Sequence, residues 1–507
     1  MKKIISFNEL GILKKKYESK NKKIVLCHGT FDLIHVGHIK HFSSAKKYAD
    51  ILVVSITSDK FVLKGPGRPI FNEKNRAMFL SSFDMIDHVV INDNETSISL
   101  INNLKPNFYC KGPDYKNHKD DITGNIKKEI AAINKNKGKI IYTNDETFSS
   151  TKLINFNNLN NENVTSNNLQ KLKNKINIKE ILNKIEKLKK LKVLVVGEII
   201  IDEYNFFESV GKSGKEANLV VHETYKEKYL GGIGAIANHV SSFVKKVKII
   251  SYIGSKDNNL SFIKSKLSSN ISSNFIKKDN SPTILKKRYI DEVNNNKILG
   301  VYKMNDSDLN QRNENDFLKK LTKDIKNYDL VILADYGHGL INSKISKLIC
   351  KESKYLAVNS QNNASNFGFQ NLQKFSNFNL LILNEGELRL NFRDRGTSLE
   401  KLSRKLIQNL KVAKTIVTSG KNGAMIINNA NNNSSSKSSA FASKVIDKVG
   451  SGDAMLAIAS LCDKVKMSDA EILFVSSLAA AQKLGSMGNK TKLNKLDLIK
   501  SIYYMLK

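Results

Sequence analysis

Two histidines separated by a valine and a glycine are the first residues that could do chemistry. His35 and His38 follow a short apolar run that ends at Gly29, and Gly37 lies between them. The second imidazole would open a helix, where free N–H groups and the helix dipole favour phosphate. Two imidazoles there can donate hydrogen bonds to a triphosphate as charge builds on its α-phosphorus. Two ordinary surface histidines are the competing explanation, which a strand-to-helix turn with a glycine disfavours.

A second segment that could transfer phosphate runs from Lys448 to Asp453 and reads Lys-Val-Gly-Ser-Gly-Asp, ahead of an apolar helix. Backbone N–H groups at that helix start could stabilise a transferring phosphoryl group. Asp453 is placed to take a proton from an attacking hydroxyl. A glycine-rich turn with Asp as the N-cap explains this string equally well when it is taken alone.

Alternating strands and helices must position the first pair of residues. Strand-like apolar runs occur at 23–28, 51–56, 87–91, 107–110 and 139–142. Helical stretches lie between them at 38–49, 72–82, 96–104 and 122–136. This alternation predicts a parallel, doubly wound sheet whose site lies at the carboxyl ends of the strands.

The second half of the chain alternates again from about residue 234. Buried-looking strands are predicted at 193–197, 329–334, 380–384 and 414–418. The stretches 203–230 and 284–303 read instead as short polar strands, the second with a hairpin turn at 294–296. We expect an α/β core with a small β lid, and a loop insertion at the Ser/Asn run 429–439.

A polar stretch without periodicity separates the two halves. It is rich in Asn at 155–175, and an amphipathic helix with apolar residues at helical spacing follows at 178–190. We therefore expect a first domain at 1–156, an Asn-rich linker at 157–177 and a second domain at 178–507.

The net charge of +34 suggests a polyanionic partner, and its distribution argues against a specific one. Of 82 basic residues only eight are Arg, and the Lys residues are spread along the whole chain. Nucleic-acid binders concentrate charge in a patch, with Arg for bidentate contacts. Lys, Asn and Ile share A/T-rich codons, so genome bias explains the excess as well as selection for a polyanionic partner does, and we favour genome bias. We expect no specific nucleic-acid binding.

Cysteine spacing and hydropathy give no sign of a disulfide framework, a zinc motif or a membrane anchor. The four cysteines form no C-x-x-C pair, and no apolar run reaches the roughly 18 residues of a membrane span. The first residues turn polar too soon for a signal peptide. We expect a soluble, cytoplasmic protein without a membrane partner.

The first half resembles the cytidylyltransferase-like nucleotidyltransferases, on the H-x-G-H turn at 35–38, the basic stretch 64–68, the K-G-x-D-Y turn at 111–115 and the S-S-T-K string at 149–152. The resemblance implies a Rossmann-like domain in which an acceptor phosphate attacks the α-phosphorus of ATP or CTP, with Mg²⁺. It assigns His35 and His38 to catalysis. The implied nucleotide-binding residues are Gly29, Thr30, Phe31, Asp32, Gly37, Lys46, Arg76, Ser149, Ser150, Thr151 and Lys152. The implied sugar-phosphate-binding residues are Lys64, Arg68, Lys111 and Asp114.

The second half resembles the ribokinase-like sugar kinases of the PfkB family, on motifs that follow in the family's order from 196 to 453. The resemblance implies ATP-dependent phosphorylation with Asp453 as the base. The implied residues for ATP and the transferring phosphate are Asn384, Glu387, Thr418, Gly420, Gly423, Asp447, Gly450, Ser451 and Gly452. The implied sugar-binding residues are Asp202, Gly231, Gly232, Lys286 and Arg288. Glu387 would act on Mg²⁺ indirectly.

Together the halves resemble the bifunctional heptose-phosphate kinase/heptose-1-phosphate adenylyltransferases, with the domain order reversed. This implies a cytoplasmic enzyme that makes ADP-heptose for lipopolysaccharide from small sugar phosphates, and makes a homodimer through the kinase lid plausible. Several sugar-side positions differ from the family pattern: Ala235 replaces Asn, Glu198 replaces Asp, His338 replaces Lys, and 358–361 lacks Asp-Pro-Lys. Another sugar or polyol phosphate, or CTP as donor, therefore remains an alternative.

Two further interpretations are less favoured. Gly211-Lys212-Ser213 ends like a Walker motif, but Phe206 occupies the position of the required first glycine, and no buried strand precedes it. The kinase half could also be a silent regulatory module, which the intact segment from Gly450 to Asp453 disfavours.

Overall fold

The computed structural model describes residues 3–65, 67–116, 125–143, 176–429, 435–442 and 445–506. It divides into two compact units. The first comprises Met1–Ser166 with Ile499–Lys507, and the second comprises Asn167–Leu498. Most of the expected linker, 157–175, lies outside the described residues.

The first unit is built on a six-stranded, wholly parallel sheet in the order β1-β4-β3-β2-β5-β6. Its strands are β1 (Ile4–Ile5), β2 (Ile24–Gly29), β3 (Ile51–Thr57), β4 (His88–Asn92), β5 (Phe108–Lys111) and β6 (Lys139–Tyr142). Its helices are α1 (Leu10–Glu18), α2 (Val36–Lys46), α3 (Glu73–Ser81), α4 (Ile98–Leu104) and α5 (Asn125–Lys135). The predicted alternation is confirmed.

Apolar side chains on both faces of the central strands explain why this sheet is buried. Leu26 on β2 belongs to one core cluster, and its neighbours Val25 and Cys27 belong to the cluster on the opposite face. Helices on both faces therefore cover near-continuous apolar strands, as in other parallel sheets. Helix α1 has no counterpart among the sequence-based expectations, although Leu10, Leu13 and Tyr17 are buried at helical spacing.

The second unit contains a nine-stranded sheet in the order β11-β10-β7-β14-β15-β16-β17-β18-β19, parallel as far as β17 and antiparallel at β18 and β19. These strands are β7 (Lys192–Gly197), β10 (Lys246–Gly254), β11 (Ile271–Lys278), β14 (Leu330–Asp335), β15 (Leu356–Ser360), β16 (Leu380–Asn384), β17 (Lys414–Thr418), β18 (Ala424–Asn428) and β19 (Ser435–Ser438). The described helices after residue 176 are α6 (Ile178–Lys187), α7 (Ile233–Ser241), α8 (Leu260–Lys266), α9 (Gln311–Ile325), α10 (Ser343–Glu352), α11 (Glu385–Phe392), α12 (Leu399–Leu410), α13 (Ser451–Lys464), α14 (Asp469–Leu484) and α15 (Lys495–Leu506).

Four strands form a separate sheet, the lid, in the order β13-β12-β8-β9. They are β8 (Ile199–Lys212), β9 (Leu219–Gly232), β12 (Leu285–Asp291) and β13 (Asn296–Lys303). The expected hairpin at 284–303 is confirmed, with Asn295 left-handed at φ 54° in its turn. The expectation of short strands at 203–230 is wrong, because β8 and β9 are 14 residues each. The first nine residues of β8 and the last three of β9 are buried, and the opposite ends of the two strands are exposed.

Another correction concerns the Ser/Asn run at 429–439. Residues 430–434 lie outside the described part, but Ser435–Ser438 pair with β18 and form the edge strand β19. An edge strand needs only one hydrogen-bonded neighbour and few apolar residues, so its sequence resembles a loop. Among the described helices, none has the length and apolar character needed to cross a membrane.

Candidate active sites

The first candidate site lies where β2 ends and α2 begins. His35 is the N-cap of α2, and its Nδ1 accepts a hydrogen bond from the Gly37 amide at 3.1 Å. The Nδ1 atom of His38 accepts from the His35 amide at 3.4 Å. The two rings stack, with centroids 3.9 Å apart. The two hydrogen bonds and the stacking therefore hold both imidazole rings in fixed orientations, side by side at the start of α2.

Burial determines the protonation of this pair. It lowers the pKa of His35, and it lowers the pKa of His38 to about 3, with the charges of His35 and Lys64 acting in the same direction. Both rings are therefore neutral near pH 7. Because each Nδ1 accepts a backbone N–H, each Nε2 carries the ring proton and is a hydrogen-bond donor. Two neutral donors at a helix start suit a phosphate group.

Asp32 joins this turn to the basic stretch 64–71. Its fully buried carboxylate accepts from Arg68 Nε at 2.6 Å and from the amides of Ile70 and Phe71 at 2.7 and 3.2 Å. The Nη2 atom of Arg68 is buried and has no hydrogen-bond partner among the described residues. Such a donor is costly without an acceptor, so it marks a place for an anionic ligand. Asp32 therefore positions Arg68, and its contact with the nucleotide stays a prediction.

Arg76 is held by the protein itself. Its guanidinium, 1% exposed, donates to the carbonyls of Phe71, Thr30 and Thr57, and pairs with Asp59 at 2.5 Å. Four of its five N–H donors are thereby used. The side chain thereby organises the loops that follow β2 and β3, and its contact with the nucleotide stays a prediction.

Lys46 also differs from expectation. It lies at the carboxyl end of α2, where it forms an ion pair with Asp87 and donates to the Asp50 carbonyl at 2.6 Å. Asp50 and Asp87 immediately precede β3 and β4, so they lie at the amino ends of those strands. The histidine pair lies at the carboxyl end of β2. Lys46 is therefore placed away from the triphosphate it was expected to contact.

Of the remaining residues expected in the transferase site, the structure describes some and not others. Lys111, at the end of β5, is buried between the rings of Tyr109 and Tyr115 and lies 3.2 Å from Glu129. Gly29 is packed against the Phe31 ring, which a Cβ atom would meet at 2.9 Å. The side chain of Asp114 and all of 149–152 lie outside the described residues.

The second candidate site is built around Asp453, the third residue of α13. Gly450 precedes the helix with φ 86°, a left-handed conformation that favours glycine. A Cβ atom at Gly450 would meet Asn489 Oδ1 at 2.3 Å. Tyr336 donates its hydroxyl proton to Asp453 at 2.8 Å. Burial raises the pKa of Asp453 to about 6, so the carboxylate is ionised at pH 7 and poised to accept a proton.

Asp202 and Arg288, on the neighbouring lid strands β8 and β12, form a buried ion pair. Gly231 allows this pair to approach the backbone, because a Cβ there would meet Asp202 Oδ2 at 2.2 Å. Gly232 is left-handed at φ 55° immediately before α7. The charge of Asp202 also raises the pKa of Asp453, which places the lid carboxylate close to the candidate base.

Lys286 and His338 add two buried polar groups near the lid. Lys286 is 6% exposed, lies over the Tyr302 ring and has no ion-pair partner among the described residues. His338 is fully buried, with Nδ1 2.9 Å from Asp306 and Nε2 without a described partner. Burial and then the charge of Lys286 lower the pKa of His338 to about 4. Since His338 is neutral near pH 7 and its Nδ1 donates to the Asp306 carboxylate, its Nε2 is an acceptor. A buried cation and a buried acceptor therefore lie near each other.

Several of the residues expected to bind ATP cap a helix or form a turn. Asn384 caps α11, and Glu387 closes the capping box by accepting the Asn384 amide at 2.8 Å. Glu387 also accepts the Asn362 amide at 3.2 Å, and burial raises its pKa to about 7. Gly420 and Gly423 follow Thr418 at φ 56° and 86°.

Asp447 serves the architecture of the second site. It pairs with Lys297 of the lid strand β13, and it accepts from Tyr204 and the Gly488 amide at 2.9 Å each. Ser451 and Gly452 form the first turn of α13. The expected first acid of the motif thus ties a lid strand to the glycine-rich turn.

Sequence reasoning missed Tyr336 and Lys483. Tyr336 follows the buried strand β14, a position that favours function. Lys483 is 2% exposed in the apolar helix α14, and its Cε lies 3.2 Å from the Cβ position of Gly450. Burial lowers the pKa of Lys483 to about 8, against the opposing charges of Asp447 and Asp453. A lone Lys in the run Ala479-Ala-Ala-Gln-Lys483 was the available signal.

The segment Gly211-Lys212-Ser213, set aside as a Walker motif, lies at the exposed end of β8 and no helix follows it. Glu198 stabilises the backbone of a turn. Its buried carboxylate accepts hydrogen bonds from the amides of Tyr336, His338 and Leu340 at 3.0 to 3.3 Å. It thereby shapes the turn that presents Tyr336 and His338.

Comparisons with known proteins agree with this architecture. Residues 190–496 match the model of the pfkB family carbohydrate kinases, and residues 26–156 match the cytidylyltransferase-like model. The chain belongs to the pfkB family of carbohydrate kinases, with a cytidylyltransferase-like region ahead of the kinase region. The expected fold class and domain order are thereby confirmed.

Among curated relatives, the bifunctional protein HldE of Campylobacter jejuni subsp. jejuni serotype O:2 is 41% identical over 155 residues, which are 30% of this chain and 31% of that protein. HldE of Geobacter metallireducens is 48% identical over 100 residues, 19% of this chain and 20% of that protein. The chain thus spans less than a third of the curated relatives it matches. The phosphofructokinase-2 of Escherichia coli in complex with potassium has a TM-score of 0.50 and 14% identity, covering 62% of this chain and 99% of that one. At that identity the likeness concerns the fold alone.

Proposed function

We propose that the chain is a bifunctional enzyme of nucleotide-sugar synthesis. Residues 178–507 would phosphorylate a sugar phosphate, most simply a heptose 7-phosphate, with ATP. Residues 1–156 would transfer a nucleotidyl group from ATP to the resulting sugar 1-phosphate, giving ADP-heptose for lipopolysaccharide. Residues 157–177 would link the two activities. The observation that carries the proposal is Asp453 at the start of α13, buried and hydrogen-bonded by Tyr336, in a chain that also has the stacked pair His35 and His38.

In the kinase reaction, the acceptor hydroxyl attacks the γ-phosphorus of ATP while Asp453 accepts its proton, and ADP leaves. Gly450, Ser451 and Gly452 give backbone N–H groups at a helix start, which suit the transferring phosphoryl group. The acceptor would be held by the Asp202–Arg288 pair, while Lys286 meets its phosphate and Nε2 of His338 accepts from one of its hydroxyls. A sugar phosphate offers an anionic group to the buried cation and hydroxyl donors to the unpartnered buried acceptor.

In the transferase reaction, a phosphate oxygen of the sugar 1-phosphate attacks the α-phosphorus of ATP. The bond to the β-phosphate oxygen breaks, and pyrophosphate leaves. The neutral rings of His35 and His38 would donate from Nε2 to the phosphates, and Arg68 would offer its buried Nη2. Lys64 and Lys111, with Asp114, would meet the acceptor, and 149–152 the leaving phosphates. Preorganised donors of this kind stabilise charge as it develops.

Mg²⁺ fits the kinase site on one observation. The Oδ1 atom of Asn362 is buried without a described partner, next to the buried carboxylate of Glu387. Oxygen acceptors are the ligands that Mg²⁺ takes, often through retained waters. Asn362 and Glu387 would hold the hydrated ion, which when bound neutralises phosphate charge.

The deciding experiment incubates the purified full chain with Mg²⁺, ATP or CTP, and a panel of sugar phosphates that includes heptose phosphates. Mass spectrometry identifies the nucleotide-sugars. We expect ADP-heptose together with ADP and pyrophosphate. Failure with every heptose phosphate would remove heptose as the substrate. Products formed only with CTP would replace ATP as the nucleotidyl donor.

We further propose that the kinase part forms a homodimer through the lid in the cytoplasm. Large apolar residues of the lid are exposed, including Ile298 and Leu299 at 56% each and Leu219 at 52%. A second copy of the same sheet would cover them. Light scattering after gel filtration should give twice the chain mass. The variant Ile298→Glu should give a monomer, and a monomeric wild type would overturn the dimer.

A further inference from the structure

Three potential metal ligands converge beneath the histidine turn of the first unit. Cys27 on β2 and Cys110 on β5 are paired in register on adjacent parallel strands, so their side chains leave the same face of the sheet. His41 lies on α2, which covers that face. The two sulfur atoms and one ring nitrogen of His41 all lie within 4.8 Å of one another. No other such group occurs among the described residues.

The surroundings distinguish this trio from ordinary core residues. Cys27 and Cys110 are fully buried, with Phe42 and Val25 in the same apolar cluster. The Cys27 thiol hydrogen-bonds the Cys110 thiol, so the two sulfur atoms are direct neighbours. A buried thiol pair in an apolar cluster has weak polar partners only, whereas a bound cation would satisfy both sulfur atoms at once.

A fourth residue, Thr143, orients the imidazole ring of His41. Its Nδ1 atom lies 3.0 Å from Thr143 Oγ1, just after β6. A ring that donates its Nδ1 proton to a hydroxyl carries its lone pair on Nε2, which is the state that binds a metal. Thr143 is 4% exposed, so this partner is itself held by the core. The contact has the form of the outer-shell hydrogen bond that orients ligating histidines.

We propose that Cys27, Cys110 and His41 bind a thiophilic divalent cation of the Zn²⁺ class. Two thiolates and an imidazole are a ligand set that Zn²⁺ prefers, and three protein ligands leave the fourth position open. Cation binding would release the thiol protons, because the thiolate is the ligating form. The site is distinct from the residues assigned to either reaction. His41 lies one helical turn after His38, so the cation would anchor the first turns of α2 beneath the histidine pair.

The test uses the untagged full chain, reduced with a phosphine, stripped with a chelator and dialysed. Elemental analysis after addition of Zn²⁺ should give one equivalent per chain. Co²⁺ in its place should give the sulfur-to-metal charge-transfer absorption of thiolate ligation. Absence of that band, or of bound Zn²⁺, in the wild-type chain would overturn the proposal.

The chain offers matched controls in its other two cysteines. Cys27→Ser and Cys110→Ser should each abolish stoichiometric binding, while Cys350→Ser and Cys462→Ser should keep it. Thr143→Val leaves all three ligands in place, and we expect it to weaken Zn²⁺ affinity about tenfold or more. Chelation should lower the melting temperature of the wild type and leave that of Cys27→Ser unchanged. Equal binding by all four Ser variants would assign the metal to another place and overturn the proposal.

Discussion

The residues of the two candidate sites, for both of which we propose phosphate chemistry, are distributed differently along the chain. In the first unit, His35, His38 and Asp32 lie within one loop and one helical turn. In the second, Asp202, Arg288, Tyr336, Asp453 and Lys483 come from five separate segments. Both sites use the carboxyl ends of parallel strands and a helix start. A local site can therefore be recognised from one motif, whereas a dispersed site depends on the fold.

The electrostatics of the two sites also differ. Burial holds the imidazoles of the first site neutral, so that they serve as donors without a charge. In the second site, burial raises the pKa of Asp453 to about 6. The charges of Lys483 and Lys286 oppose this rise, so the carboxylate is ionised at pH 7. The histidines of the first site would thus stay neutral near pH 7, and the second site would show an acid limb.

Substitution of Asp453 in the second site should have the greatest effect, and it should separate the two activities. Asp453→Asn removes the proton acceptor while keeping the shape of the side chain, so ADP formation should fall by about 10²–10⁴-fold. Pyrophosphate release from a supplied sugar 1-phosphate should be unchanged, which serves as the folding control. A kinase rate that survives the substitution would contradict the role of Asp453 and favour a silent or different site.

The reciprocal change acts on the first site. His35→Ala removes one preorganised donor and the N-cap of α2, so pyrophosphate release should fall by roughly 10²–10³-fold. ADP formation by the kinase should continue at the wild-type rate in a coupled assay. Loss of both activities in this variant would show that the two sites do not act independently.

A subtler change tests the contact between Tyr336 and Asp453. Loss of a hydrogen bond to a charged group costs about 1.5–3 kcal/mol, which corresponds to about one to two pKa units. Tyr336 stabilises the carboxylate and so lowers the pKa of Asp453. In Tyr336→Phe this pKa should rise, and the acid limb of kinase kcat/KM should move to higher pH. The rate on the high-pH plateau should change far less than in Asp453→Asn; an unmoved limb would refute the contact's role.

The smallest effect is expected at Lys46. Lys46→Met breaks a partly exposed ion pair with Asp87 at the amino ends of β3 and β4, so the free energy of unfolding should change by about 1 kcal/mol or less. Because this end of the sheet is opposite the histidine turn, the KM for ATP in the transferase assay should stay within about twofold of wild type. A large rise in that KM would restore Lys46 to the triphosphate site, against the position described above.

Periodicity and motif spacing predicted much of this protein. The parallel sheet of the first unit follows from short apolar runs that alternate with helices, and the β12–β13 hairpin follows from a polar turn between short strands. The H-x-G-H turn and the segment from Gly450 to Asp453 were recognisable because each places glycine and polar residues together at a helix start. Local backbone chemistry determines such features, so they are visible in a short window of sequence.

Tertiary structure decided the roles of individual polar residues. Arg76 and Lys46 match the pattern of ligand-binding residues, yet their charges are satisfied by Asp59 and Asp87, which are distant in sequence. Tyr336 and Lys483 match no motif, yet folding brings them to Asp453 and Gly450. Cys27, His41 and Cys110 have no metal-site spacing along the chain, and only strand pairing and helix packing bring them together. The physical reason is the same in each case: a side chain's partners, and hence its charge and its function, are set by long-range contacts that no local pattern contains.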